Sequence, residues 1–257
     1  MTGARVRAPH PSGEQFELVR GERRAVVVEV GGGLRSLAVG DWEVLDGYGA
    51  GERISDGRGQ ILIPWPNRLR DGRYEWGGET WQLPLTEPPK GNAIHGLVRW
   101  ASWRAVERSE ARVVLAHRLH PQAGWPFTLD LELEYALDDE GLTVRTRAAN
   151  AGGEPCPFGA GAHPYLTVGT ARVDEAVLQA PGGVRLLADE RQIPTGEREA
   201  VDGTRYDFRA GRNVGDVELD DAFTELARDA DGLARVGSAR RTEGARRRCG
   251  WTRRTAG

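Results

Sequence analysis

Between Phe127 and Tyr135 every second residue is apolar: Phe127, Leu129, Leu131, Leu133 and Tyr135 alternate with Thr128, Asp130, Glu132 and Glu134. Successive side chains of a strand point to opposite faces, so this spacing predicts a strand with one buried face. Wound as a helix, the same residues would scatter their acids round the surface and leave no apolar stripe. DDEG then turns the chain, and Leu142, Val144, Thr146 and Ala148 repeat the alternation. The two runs predict an antiparallel hairpin with one face buried and one wet.

The rest of the chain reads in the same way. A β-branched run from Ala25 to Val30 breaks at Gly31, Gly32 and Gly33 and is followed by a second apolar stretch before Asp46, which predicts two strands joined by a tight turn. The GGG is not a phosphate loop, because no GxGxxG or GxxxxGK[ST] is present and no helical pattern follows. In ILIPWPNRLRDGRYEWGGETWQL, Pro64 and Pro66 forbid regular central-strand pairing, and Asp71–Gly72 predicts a hairpin with Tyr74 and Trp76 on the returning strand. Arg68 then sits on an irregular segment just before that hairpin. Shorter strands follow from Val173 to Phe208, and nowhere do strands alternate with helices as in a parallel sheet. The fold class is therefore all-β, a large antiparallel β-sandwich in which two sheets bury the half-apolar strands. The 35 glycines and 14 prolines, clustered between apolar runs, suit its turns.

At 257 residues, 39% hydrophobic and 28% charged, the chain is expected to form one folded domain over residues 1–236. Residues 1–13 are expected to fray, with order beginning near Phe16. Residues 237–257 form an atypical arginine-rich tail, read as disordered rather than as a basic nucleic-acid arm. A net charge of −3 favours neither nucleic acid nor an anionic membrane, and the use of arginine over the single lysine, Lys90, reads as coding bias. Cys156 and Cys249 fit no zinc spacing and read as two free thiols. The N-terminus lacks the apolar core of a signal peptide, and no window reaches the roughly 18 apolar residues of a membrane helix, so the expected location is the cytoplasm. Nothing here chooses between a monomer and a homodimer.

Of the five histidines, His10 lies in the leader, and the HRLH pair His117 and His120 lacks a carboxylate or cysteine to complete a metal site. His95, in GNAIHGLVRW, and His163, in GAGAHPYLTVG, are embedded in glycine and apolar residues. Each alone could be a satisfied core or turn histidine bonded to a carbonyl. Two of them, with Arg68 behind PWPN, point to a shared polar pocket. No nucleophile elbow or activated cysteine is present, which leaves covalent hydrolysis unsupported.

The words NRLRDGRY, NAIHGLVR, GAHPYL and LDDAFTEL, in that order, resemble the aldose 1-epimerase family, the galactose mutarotases, over roughly residues 15–235. The resemblance implies a β-supersandwich with an open sugar cleft, no cofactor and no metal, and a small monosaccharide as the sole partner. It implies that Arg68 binds sugar hydroxyls, that His95 binds the sugar and positions its ring oxygen, that His163 is the general acid and that Asp220 grips hydroxyls. The family's general base, a glutamate in a VEP-like strand, has no match after Asp220; neither Glu225 nor Glu243 has the surrounding motif, so no base is assigned. A frameshift or truncation near the end would account for this, and for missing closing strands.

The residue types suit the reaction on their own terms. Exchanging anomers requires a base for the C1 hydroxyl proton and an acid for the ring oxygen, and histidine titrates near working pH. Neutral sugars need fixed hydroxyl partners, which an arginine and an aspartate supply. Trp65, Trp76 or Tyr165 could stack on the sugar's apolar face. Two other readings stand beside a hexose 1-epimerase: a carbohydrate-binding protein without turnover, and a hexose-6-phosphate 1-epimerase using Arg70, Arg73 and Arg99.

Overall fold

The computed structural model describes residues 9–240 and the backbone of residues 248–253. The chain is predominantly β, in several antiparallel sheets, and divides into two compact units, residues 1–165 and 166–257. Among the described residues, helix is confined to the 3-10 turns Pro88–Lys90 and Val173–Glu175, and no helix is long and apolar enough to cross a membrane.

The first unit is built on two four-stranded antiparallel meanders. One runs Gln15–Arg20, Arg23–Val28, Leu34–Val39 and Trp42–Glu43; the other runs Arg104–Arg108, Arg112–Leu119, Leu129–Leu137 and Leu142–Asn150. The hairpins expected across Gly31–Gly33 and across DDEG both form, with Val26 opposite Ser36 in the first meander and Leu133 opposite Thr146 in the second. The inward residues Phe16, Leu18, Val27, Trp103, Leu115, Leu133 and Tyr135 are almost wholly buried. Each such side chain contributes about 1.5–3 kcal/mol of transfer free energy before entropy is counted. Tyr135 donates its hydroxyl proton to the carbonyl of Gly32 at 2.6 Å, fastening one meander to the turn of the other.

Four expectations are corrected. Order begins before Phe16: Gly13 N–H donates to His10 O and Ser12 is fully buried, while residues 1–8 lie outside the described residues. Glu134, expected on the wet face, is buried because Arg112, Arg145 and Arg147 from the flanking strands converge on it. The alternation of Leu142–Asn150 is not matched by burial beyond Val144, since this is the last strand of its sheet and Thr146 and Ala148 are exposed. Finally, Asp71 and Gly72 do form a turn with positive φ, but the strands beside it do not pair with each other. Arg68–Arg70 pairs with Asn92–Ile94, and Arg73–Trp76 pairs with Glu79–Gln82 across Gly77–Gly78, whose two positive φ values make the primed turn that a tight hairpin prefers.

The second unit holds two antiparallel sheets, ordered Arg212–Asn213, Ala176–Gln179, Ala234–Arg240, Arg248–Arg253 and Pro194–Ala200, Val184–Ala188, Ala222–Thr224. Its buried residues include Val201, Phe208, Val214 and Ala234. Arg185 lies 3.8 Å from the Tyr206 ring centre and bonds Asp221 and Glu199. The expected arginine-rich tail is seen only in residues 237–240 and in the backbone of Arg248–Arg253, which pairs with Ala234–Arg240; the remainder lies outside the described residues, as do side-chain facts for Cys249.

Candidate active site

Three of the four residues singled out above come together in the first unit, and the backbone explains how. Pro64 and Pro66 end regular pairing after Ile61–Leu62, leaving Asn67 with φ of 63°. His95 ends the partner strand with φ of 65°, a left-handed conformation that costs an ordinary L-residue roughly 1–2 kcal/mol. Two hydrogen bonds hold this turn. His95 N–H donates to Asn67 O at 2.8 Å, and Asn67 N–H donates to His95 Nδ1 at 3.0 Å.

The second bond fixes the imidazole's chemistry. A backbone N–H can only donate, so Nδ1 is the acceptor and the proton resides on Nε2, which makes His95 a neutral donor. Burial lowers its pKa to about 4, with help from the positive charges of Arg99, His163 and Arg68 and against the opposing charge of Glu87. The folded pKa lies below the usual 6.5, so folding favours the neutral ring. That contribution is intact above pH 6.5 and is lost as pH falls toward 4, a loss on the order of 1–2 kcal/mol once solvent screening is allowed for. Nitrogen-detected NMR is expected to show a pyridine-like Nδ1 and a pyrrole-like Nε2 on His95 from pH 8 to pH 5. A midpoint near 6.5 would contradict the assignment.

Gly96 makes the turn possible. Its φ is 75°, and a Cβ there would sit 2.0 Å from the carbonyl oxygen of Ile63, the strand end to which it is bridged. Gly96→Ala is therefore expected to cost about 3 kcal/mol or more in urea unfolding and to displace His95. A loss under 1 kcal/mol would show that the turn is not constrained in this way.

His163 follows the short strand Gly161–Ala162, paired with Ile61–Leu62. Its N–H donates to Gln60 O at 3.0 Å and its carbonyl accepts from Gly59 N–H at 2.9 Å. The ring lies edge-on to His95, with centres 5.4 Å apart and planes at 78°, and stacks on Tyr165 at 5.3 Å. Arg58 covers the Tyr165 ring at 4.8 Å, and the Tyr165 hydroxyl donates to Asp56 O. Tyr165, one of the expected sugar platforms, is thus engaged in orienting His163. Trp76 remains over one third exposed, its indole N–H bonded to Pro155 O.

Arg68 is held by a partner that sequence reasoning missed. Its Nε and Nη2 donate to the two carboxylate oxygens of Glu87 at 2.8 and 2.9 Å, and Nη1 donates to Asn67 Oδ1 at 3.2 Å. Both members of the Arg68–Glu87 pair are largely buried. The Arg68 guanidinium is the main cause holding the Glu87 carboxyl below its usual range, and the fully buried Asn92 donates to the same carboxylate. Glu87 stands one bridge away from the Asn92–Ile94 strand, in register terms no local pattern announces. Asp220 belongs to the second unit, where it is exposed and accepts from Gln192 Nε2. Asp221 beside it is committed to Arg185.

A neutral histidine donor, a second histidine against its edge and a bidentate arginine define a polar acid/base constellation on a multi-sheet β scaffold. The model of the aldose 1-epimerase family matches residues 14–244, and the chain belongs to that family. It is 34% identical over 215 residues to the uncharacterized protein YihR of Escherichia coli K12, covering 83% of this chain and 70% of that one. It is 31% identical over 183 residues to a maltose epimerase of Levilactobacillus brevis, covering 64% of this chain and about half, 53%, of the relative. Among solved structures, the GalM/aldose epimerase homologue from C. elegans superposes with a TM-score of 0.75 at 16% identity, over 88% of this chain and 74% of that one, a likeness of fold.

Proposed function

We propose that this chain interconverts the α and β anomers of a hexose such as glucose or galactose. The observation that carries the reading is the His95–His163 pair beside a bidentately fixed Arg68. His163 gives a proton to the ring oxygen as the bond from that oxygen to C1 breaks, and a base takes the proton of the C1 hydroxyl, leaving the open aldehyde. Rotation about C1–C2 and the reverse transfers close the ring as the other anomer. His95, neutral and donating from Nε2, suits a hydrogen bond to the sugar that does not change protonation during the cycle. Arg68 binds hydroxyls through its remaining donor capacity. The hydroxyl-gripping role of Asp220 rests on its motif.

Glu87 is not the missing base. It is held ionised, with both oxygens occupied by Arg68, so its proton affinity is too low and its lone pairs are engaged. That commitment favours a second reading, sugar binding without turnover. Polarimetry on freshly dissolved α-glucose and α-galactose separates the two. Relaxation faster than buffer supports the epimerase, whereas calorimetric binding without acceleration supports the binding protein.

A further inference from the structure

One short segment, residues 56–60, borders His163, and each of its members meets either His163 or Tyr165. Gly59 N–H donates to His163 O and Gln60 O accepts the His163 N–H, so both backbone polar groups of residue 163 are fixed. Gln60 is wholly buried, and its amide is itself held, donating to Arg99 O and accepting from Arg99 Nε, each at 2.8 Å. Gly57 lies against the imidazole, where a Cβ would sit 3.5 Å from Cδ2. Asp56 O accepts from the Tyr165 hydroxyl at 3.1 Å, and the Arg58 guanidinium lies over the Tyr165 ring at 4.8 Å. Tyr165 in turn stacks on His163 with 24° between the planes.

Fixing the backbone does not fix the ring. Rotation of an imidazole about its bond to Cβ is soft, so its plane is set by what lies against its face. Pro164 disfavours helical backbone at His163, and in extended backbone side chains two residues apart leave on the same side, so the word HPY presets the stack of Tyr165 on His163. The Tyr165 hydroxyl lies on that ring's own rotation axis, so its bond to Asp56 O holds the tip and leaves the plane free. Arg58 supplies the missing restraint, since a guanidinium is attracted to the face of a ring and stacks on it. The arginine is kept there by Gly47 O, 3.3 Å from Nη1, and by Asp46, whose carboxylate is largely exposed and 3.4 Å from Nη2, a pairing that adds little stability of its own. We propose that Arg58 is a positioning residue for His163, acting through the plane of the Tyr165 ring. This rests on the reading of His163 as the acid that protonates the sugar's ring oxygen.

Polarimetry on α-glucose, with near-UV circular dichroism as the fold control, compares the wild type with Arg58→Met, Arg58→Lys, Tyr165→Leu, Tyr165→Phe and the double variant Arg58→Met/Tyr165→Leu. Arg58→Met is expected to lower kcat about tenfold and to leave KM within about twofold, because the groups that bind the sugar are untouched while the acid is misaimed. Arg58→Lys, which keeps a charge over the ring but not a flat one, should fall between. Tyr165→Phe should restore most of what Tyr165→Leu loses, and the double variant should be no slower than Tyr165→Leu alone, the non-additivity of two residues acting in series. In parallel, the NMR signals of the His163 ring protons, shifted in the wild type by the stacked tyrosine, should move in Arg58→Met. A kcat within about twofold of the wild type, a loss confined to KM, additive losses in the double variant, or unmoved ring signals overturns the proposal. Should Arg58→Met not fold, Arg58→Lys decides by the same signals. A folded wild type without turnover would sink the epimerase reading alone, and the ring signals would then decide whether Arg58 sets the imidazole plane.

Discussion

His163→Ala is expected to slow anomer exchange by about 10²–10⁴-fold while leaving a folded protein. Folding should survive because the two hydrogen bonds that anchor residue 163, to Gln60 O and from Gly59 N–H, are made by its backbone. The substitution removes the ring contact with His95 and the stack on Tyr165, each worth about 0.5–1.5 kcal/mol. The rate loss follows from role: the ring oxygen must receive a proton as its bond to C1 breaks, and an alanine has none to give. Polarimetry on α-glucose at matched protein concentration, with near-UV circular dichroism as the fold control, measures both. A variant within threefold of the wild-type rate would remove His163 from the chemistry.

The strand architecture was largely legible because alternation is a local signal. Leu129, Leu131, Leu133, Tyr135 and Leu137 carry their burial in their spacing, and the strand pairs across the DDEG turn as that spacing requires. Legibility failed where a distant partner decided the outcome. At Asp71–Gly72 the turn was correctly local, but Arg68–Arg70 pairs with a strand over twenty residues away, and a second glycine pair closed the neighbouring hairpin. Glu134 obeyed the alternation in sequence and defied it in space, since three arginines on flanking strands offset its burial. The site divides along the same line. Arg68, His95 and His163 stood in recognisable words, whereas Glu87 and Gln60 carry no motif. Gln60, a polar residue at the head of the apolar run ILIP, was the one faint signal that a buried amide had a task there.

Arg68→Met is expected to destabilise the protein by about 3 kcal/mol, the second large effect and one unrelated to chemistry. Removing the guanidinium leaves the Glu87 carboxylate largely buried, with Asn92 still donating to it and the Lys90 charge still acting on it, and a carboxylate that loses its bidentate partner in that setting costs several kcal/mol. Glu87→Gln should cost less, since a neutral amide can remain beside Asn92 and Arg68 keeps its bond to Asn67. The double variant should then be more stable than Arg68→Met alone, because the stranded charge is gone; a coupling of about 1.5–3 kcal/mol in a double-mutant cycle by urea unfolding is the expected result. The same variants separate positioning from contact. Glu87→Gln leaves the arginine's charge in place but frees its plane, so KM for the sugar should rise by about tenfold with a smaller change in kcat, whereas Arg68→Met should abolish measurable saturation. If Glu87→Gln leaves KM unchanged, the carboxylate serves the fold only, and the fixed orientation of Arg68 is not what the sugar requires.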